Sequence, residues 1–285
     1  PCLIVDPDGD GPTRAYDPCL WHDPGGRLWL LWAQGYEKHA DAAAGVWAIT
    51  TTDSDDERPS WSTPRRLCDG IMMNKPVVAS SGRWLIAAAR WRTEGSCVVF
   101  GSDDDGASWQ RLGAASVPEE HRSCDEHMLV ERLDGSQWML VRTTYGIGES
   151  TSTDGGHSWS PVQPTALAHP VTRFFIRRLA STRLLLVKHG PLAKRTERSH
   201  LTAYLSDDDG LSWQGGLLLD ERTGVSYPDG VEAAGGSVFL TYDYDRRGAK
   251  QILMTRFSED DVLAGGASSA AAAMRVVNQA AGGPS

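Results

Sequence analysis

The sequence has no excess of positive charge, no long apolar run and no paired cysteines, and each absence removes a class of protein. Its 37 acidic residues outnumber its 28 lysines and arginines, giving a net charge of −9. A general nucleic-acid or anionic-membrane binder needs the opposite sign. No stretch reaches about 18 consecutive apolar residues, so no spanning helix is expected. The five cysteines, Cys2, Cys19, Cys68, Cys97 and Cys124, are scattered, odd in number and without a C-x-x-C pair. They read as buried thiols, not as a disulfide framework or zinc site. His22, His121, His127, His157 and His200 lack the i, i+4 spacing of a helical metal pair, and no glycine-rich phosphate loop follows a strand. Neither a metal nor a cofactor is expected. The chain begins Pro1-Cys2-Leu3, with no methionine and no signal-peptide pattern. Processing or truncation is expected to have removed what came before, and cytoplasmic and secreted locations both stay open.

What the sequence does have is tryptophan, glycine and a repeat. Eleven Trp, 30 Gly and 15 Pro favour many short strands joined by turns. One turn occurs in three near-copies: SDDDGASW at 102–109, STDGGHSW at 152–159 and SDDDGLSW at 206–213, sharing S-x-D-x-G-x-S-W. Their first serines lie 50 and 54 residues apart, and a degenerate copy runs from Thr51 to Trp61 with two residues inserted. A period near 50 marks a repeat fold. Ser and Asp side chains bond nearby backbone N–H groups and glycine supplies a positive φ, so each copy reads as a structural latch whose tryptophan packs back onto the sheet. The acidic runs 103–105 and 207–209 belong to these turns and match no complete calcium loop.

Each unit reads as three strands entering the turn and a fourth following the tryptophan, except the fifth, which lacks the turn motif. Five units fall at about 15–67, 74–112, 126–162, 173–219 and 227–257, within one domain over 1–263, and 264–285 reads as a weakly helical peripheral tail. Continuous apolar runs such as Leu184-Leu185-Leu186-Val187 suit strands buried on both faces. The expected fold is an all-β, six-bladed β-propeller. Residues 1–6 read as the outer strand and exit of a blade whose other strands this chain does not contain.

Candidate functional residues cluster at expected strand ends. A strand, an Asp134-Gly135 turn and a return strand bring Glu126 and Arg142 to neighbouring ends of a hairpin. Arg198 opens a strand over 198–206, and Tyr227 stands at the entrance to the fifth blade. Asp17 and Lys75 open the inner strands of blades one and two, while Arg173, Arg177 and Lys188 surround blade four.

The latch turns together with the ordered series Glu126, Arg142, Arg198, Tyr227 resemble the sialidase (neuraminidase) superfamily, whose members carry Asp boxes of the S-x-D-x-G-x-x-W type on six-bladed propellers. The resemblance covers nearly the whole chain. It implies that Tyr227 is the nucleophile of a retaining exo-glycosidase and Glu126 the base that activates it. It also implies that Arg142 and Arg198 hold the carboxylate of a sialic acid or related sugar acid. An aspartate acid and a third arginine, normally carried by the first blade, would lie upstream. Tyr227 is followed by Pro228-Asp229-Gly230, a variant context in which Asp229 is itself a candidate acid or polar contact. That segment and Tyr242-Asp243-Tyr244-Asp245-Arg246 resemble a branch of sialidase-like proteins whose substrate the sequence does not assign. Two further readings stay open: a binding propeller without hydrolysis, and a propeller glycosidase or lyase acting on another glycan through Asp229, His127 or Lys75. The expected partner is a glycan or sugar acid, and the oligomeric state is left open.

Overall fold

The computed structural model describes residues 3–36, 43–265 and 274–280. Among them, twenty strands form five four-stranded sheets in which sequence neighbours pair. Blade one holds β1 (Thr13–His22), β2 (Leu28–Tyr36), β3 (Gly45–Thr51) and β4 (Arg65–Asp69). Blade two holds β5 (Val77–Val78), β6 (Trp84–Ala87), β7 (Ser96–Ser102) and β8 (Gln110–Ser116), with a single turn α1 (Trp91–Glu94) between β6 and β7. Blade three holds β9 (Arg122–Glu131), β10 (Gln137–Thr143), β11 (Gly146–Ser152) and β12 (Gln163–Pro164). Blade four holds β13 (Phe175–Arg178), β14 (Leu184–His189), β15 (Leu201–Ser206) and β16 (Gln214–Asp220). Blade five holds β17 (Val225–Glu232), β18 (Val238–Tyr244), β19 (Gln251–Phe257) and β20 (Arg275–Gln279), with α2 (Glu259–Ala264) after β19. The five sheets are the blades of an all-β propeller arrangement. Among the described residues, no helix is long and apolar enough to cross a membrane.

Contacts divide the chain into two compact units, Pro1–Val141 with Glu149–Gln163, and Arg142–Gly148 with Pro164–Ser285. In the first unit the period of two along a strand sends alternate residues to opposite cores. Trp84, Ile86, Val98 and Phe100 of blade two pack with Trp21, Trp29 and Leu31 of blade one, while Leu85, Ala87, Cys97 and Val99 pack with Leu129, Met139 and Val141 of blade three. In the second unit Leu185, Val187 and Ala203 of blade four meet Val225, Leu240 and Leu253 of blade five. Each Val, Leu, Ile or Phe among them contributes about 1.5–3 kcal/mol on full burial, which favours apolar strand interiors. Helix α2 is fixed by a reciprocal cap between Ser258 and Asp261 and drives Val262 into the same core.

Four of the blades join their third and fourth strands through the repeated turn. In blade two the Ser102 hydroxyl donates to Asp104 at 2.7 Å and accepts the Gly106 N–H at 2.9 Å. The other oxygen of Asp104 accepts the Ser108 hydroxyl at 2.6 Å. The same serine–aspartate–serine bonds recur through Ser152, Asp154 and Ser158, and through Ser206, Asp208 and Ser212. Gly106 is required twice over: its φ is +78°, and a Cβ would lie 2.8 Å from the Trp84 ring. Bonds from the Ser108 side chain and backbone, with that from Ser102, hold the Asp104 carboxyl down to about 2.

Several local expectations are corrected. Residues 3–6 form no strand, because the Asp6 carboxylate instead accepts the Gly9 N–H at 2.9 Å and closes a turn; Pro1 and Cys2 lie outside the described residues. Within the expected tail 264–285, Arg275–Gln279 form β20, which pairs with β19 from Gln251↔Gln279 to Met254↔Arg275 and supplies the fourth strand of blade five, while residues 266–273 and 281–285 lie outside the described residues. Cys19, Cys68 and Cys97 are buried, and Cys124 is half-buried.

Two outcomes test the latch. Ser102→Ala strands the buried Gly106 N–H and should cost about 1–3 kcal/mol in urea unfolding; an unchanged midpoint would contradict the assignment. The folded Asp104 titrates below the ordinary carboxyl value of 3.8, so its stabilisation is present above about pH 4 and is lost as pH falls toward about 2. Asp104→Asn should therefore lower Tm at pH 7, with the gap to the unaltered protein closing over that acid interval.

Candidate functional site

The site is built on an irregular first strand in blade five. Strands β17 and β18 pair as Ser226↔Asp243 and resume as Asp229↔Thr241, so Tyr227 and Pro228 together oppose one residue. This is a β-bulge, and its first residue, Tyr227, is left-handed with φ +56°. A bulky aromatic pays about 1–3 kcal/mol there, and the following proline restricts it further. Blade one repeats the device: β1 and β2 shift register between Tyr16 and Cys19, and Asp17, with φ +53°, precedes Pro18.

Around Tyr227 the second unit gathers arginines. Arg142, buried at the end of β10, donates through Nη1 to the Tyr227 hydroxyl at 3.4 Å and through Nη2 to the Val171 carbonyl at 3.0 Å. The Arg198 guanidinium lies 6.0 Å from the Tyr227 ring centroid and donates to the Ser226 hydroxyl at 3.5 Å. Arg198 does not open the strand as expected. Because His200 is left-handed, with φ +53°, β15 begins only at Leu201, and Arg198 sits in the preceding loop with its carbonyl accepting the Gly224 N–H at 2.8 Å. Arg246 lies closest, 3.7 Å from the ring centroid, and is ion-paired with Asp243. Arg173, also buried, faces Asp229 at 3.4 Å. Four guanidinium groups, those of Arg142, Arg198, Arg246 and Arg173, thus gather with the carboxylates Asp229 and Asp243 about one phenol. The arrangement can hold an anion beside a phenolic oxygen.

Beneath it lies a buried polar scaffold. Lys188 is fully buried and directs Nζ to the carbonyls of His189 at 2.7 Å, Gly190 at 2.9 Å and Pro191 at 2.8 Å, while burial pushes its pKa down to about 7. Three acceptors match the three N–H bonds of an ammonium, so this side chain braces a loop and does not face a ligand. His189 is held neutral by burial, which lowers it to about 4. Its Nε2 must donate to the Val225 carbonyl at 2.9 Å, since a carbonyl only accepts, so its Nδ1 accepts from His169 at 3.3 Å. The chain leading to Tyr227 is thus tied down two residues earlier.

The structure brings Tyr227, Arg142 and Arg198 together and pairs Arg173 with Asp229. Glu126, Lys75 and Asp17 belong to the first unit: Glu126 is 4% exposed in β9, Lys75 is half-buried two residues before β5, and Asp17 sits in the β1 bulge. Arg177 is half-buried in β13 opposite Leu185. His127 is buried with its ring nitrogen 2.9 Å from the Val98 carbonyl, while its own carbonyl accepts from Asn74 at 2.6 Å, a structural role between blades two and three. Sequence reasoning did not nominate Arg246, Asp243 or Ser226. The segment 242–246 was visible as a motif, but only the register of β17 against β18 places it over Tyr227.

Asp-box turns closing four-stranded meanders define a β-propeller of the sialidase-like class. The family model described as a BNR repeat-like domain matches residues 4–240, and the chain belongs to that family within the sialidase-like superfamily. A sialidase of Micromonospora viridifaciens is 33% identical over 152 residues, covering 50% of this chain and 23% of that protein. The NanB sialidase structure from Streptococcus pneumoniae superposes with a TM-score of 0.69 at 14% identity, covering 88% of this chain and 57% of that one. The intramolecular trans-sialidase structure from Ruminococcus gnavus superposes with a TM-score of 0.67 at 15% identity, covering 89% of this chain and 79% of that one. The chain therefore spans about a quarter of the length of its curated relative and little over half of NanB.

Replacing Lys188 with Met should take a donor from the buried His189 and Gly190 carbonyls and from that of Pro191, and cost about 1–3 kcal/mol in urea unfolding. A neutral result would contradict the bracing role.

Proposed function

We propose that this protein is a glycoside hydrolase that removes a terminal sialic acid, or a related acidic sugar, from a glycan with retention of configuration through Tyr227. One observation carries the reading: a strained tyrosine whose hydroxyl accepts from Arg142 at 3.4 Å, with Arg198 beside its ring. Arg142 and Arg198 clamp the sugar carboxylate by forked, charge-assisted hydrogen bonds. A neutral phenol approaches the anomeric carbon of an anionic sugar without the repulsion a carboxylate would meet, and the flanking cations stabilise the negative charge that grows on its oxygen as the proton leaves. Glu126 is the proposed base, on the strength of its burial and its place in the family order of residues. Asp229, Arg173, Lys75 and Asp17 are proposed substrate contacts. Tyr227 forms the glycosyl–enzyme bond as the glycan oxygen departs with a proton, and water then releases the sugar, a sequence of two displacements that calls for no cofactor. The six-bladed architecture, of which five blades are described here, belongs to the same proposal, together with the acid aspartate and third arginine that the resemblance assigns to a further blade.

The test is release of 4-methylumbelliferone from its α-sialoside and from a panel of other acidic-sugar glycosides. Tyr227→Phe should reduce turnover by about 1,000-fold or more. Arg198→Ala should raise KM about 10- to 100-fold, the value of a hydrogen bond to a charged group. A folded protein inactive on the whole panel, or a Tyr227→Phe variant of full activity, would overturn the reading.

A further inference from the structure

We propose that Arg246 is a positioning residue for Tyr227, holding the phenol ring in the orientation from which its oxygen can attack. The proposal rests on the reading of Tyr227 as nucleophile. At a bulge a side chain is no longer aimed by the pleat of the strand, so something else must fix the ring. The Arg246 guanidinium does this from the face, 3.7 Å from the ring centroid, close enough for a stacked cation–π contact.

The guanidinium is itself held at two edges. Its Nε pairs with the Asp243 carboxylate, and its Nη2 donates to the Ser226 hydroxyl at 3.2 Å. That hydroxyl donates in turn to Asp243 at 2.8 Å, closing a ring of three side chains from β17, β18 and the loop after β18. The loop is also fixed. Asp245, left-handed with φ +45°, accepts the N–H groups of Gly248 at 3.0 Å and Ala249 at 2.8 Å. Its own N–H donates to the Gly224 carbonyl at 3.0 Å, three residues before Tyr227. Loop and nucleophile strand are thus one unit.

The charges divide the labour among the arginines. Arg246 already has its counterion in Asp243, so its charge is compensated and its planar face is what Tyr227 uses. Arg142 meets the oxygen end of the same ring. Removing Arg246 should therefore loosen the phenol while leaving the carboxylate clamp in place.

Two readouts on Arg246→Ala, Arg246→Lys and Asp243→Asn decide the matter. The first is steady-state hydrolysis of the 4-methylumbelliferyl α-sialoside. Arg246→Ala should lower kcat about 10- to 100-fold, the cost of a misplaced reacting group, while KM changes by no more than about threefold. Arg246→Lys should not rescue, because an ammonium cannot stack. The second is the fluorine NMR spectrum of protein labelled with 3-fluorotyrosine, in which seven tyrosines give signals and Tyr227 is assigned by its loss in Tyr227→Phe. Its resonance should shift and narrow in Arg246→Ala and move the same way, by less, in Asp243→Asn, which also serves if Arg246→Ala does not fold. An unmoved resonance, or a rise in KM with kcat intact, would overturn the positioning role. If the unaltered protein hydrolyses no acidic sugar, the reading under Proposed function falls, and the fluorine spectrum alone still decides whether Arg246 positions the ring.

Discussion

A sheet buried on both faces sends most polar side chains to the strand ends, the turns and the bulges, and the placement of Tyr227, Arg198 and the latch residues follows from that constraint. In blade four the run from Leu184 to Val187 is buried throughout. Leu184 pairs with Ser206 at the latch end of the sheet, and His189 pairs with Leu201 at the other. Asp208 is therefore expelled to one end and Arg198 to the other, separated by the six residues of β15, roughly 20 Å of extended chain. The latch holds the sheet, and the opposite end is left free to carry chemistry.

Strain marks where that freedom is used. Tyr227 occupies a bulge position at which glycine is the easy residue, with a proline behind it. Neutral His189 bonded to Val225, the closed ring of Ser226, Asp243 and Arg246, and the Asp229–Arg173 pair bound the bulge on all sides. Such an over-determined surrounding is what a disfavoured conformation needs in order to persist. Asp17 before Pro18 repeats the backbone device in blade one with a carboxylate in place of the phenol.

Legibility in the sequence followed the range of the interactions. The latch turns were readable because serine, aspartate and glycine act within eight residues, and the apolar runs because burial on both faces erases alternation. Blade five's last strand was not, since β20 has no latch turn to announce it and all five of its residues are exposed. The start of β15 was misplaced by one left-handed histidine, His200, that nothing local requires. Lys188 read as a secondary candidate or a structural ion pair, and only tertiary structure reveals three carbonyls around its ammonium. Arg246 was within a visible motif, yet its stacking depends on the register of two strands, which no local pattern encodes.

The central claim is that Tyr227 is the group that bonds to the sugar. The most direct measurement is trapping with a fluorinated sialosyl fluoride, whose electron-poor ring slows release of a glycosyl–enzyme, followed by mass spectrometry of the digested protein. The account predicts one added sugar, on the peptide containing Tyr227. An adduct on any other residue, or steady hydrolysis of a sialoside with no covalent species, would contradict it.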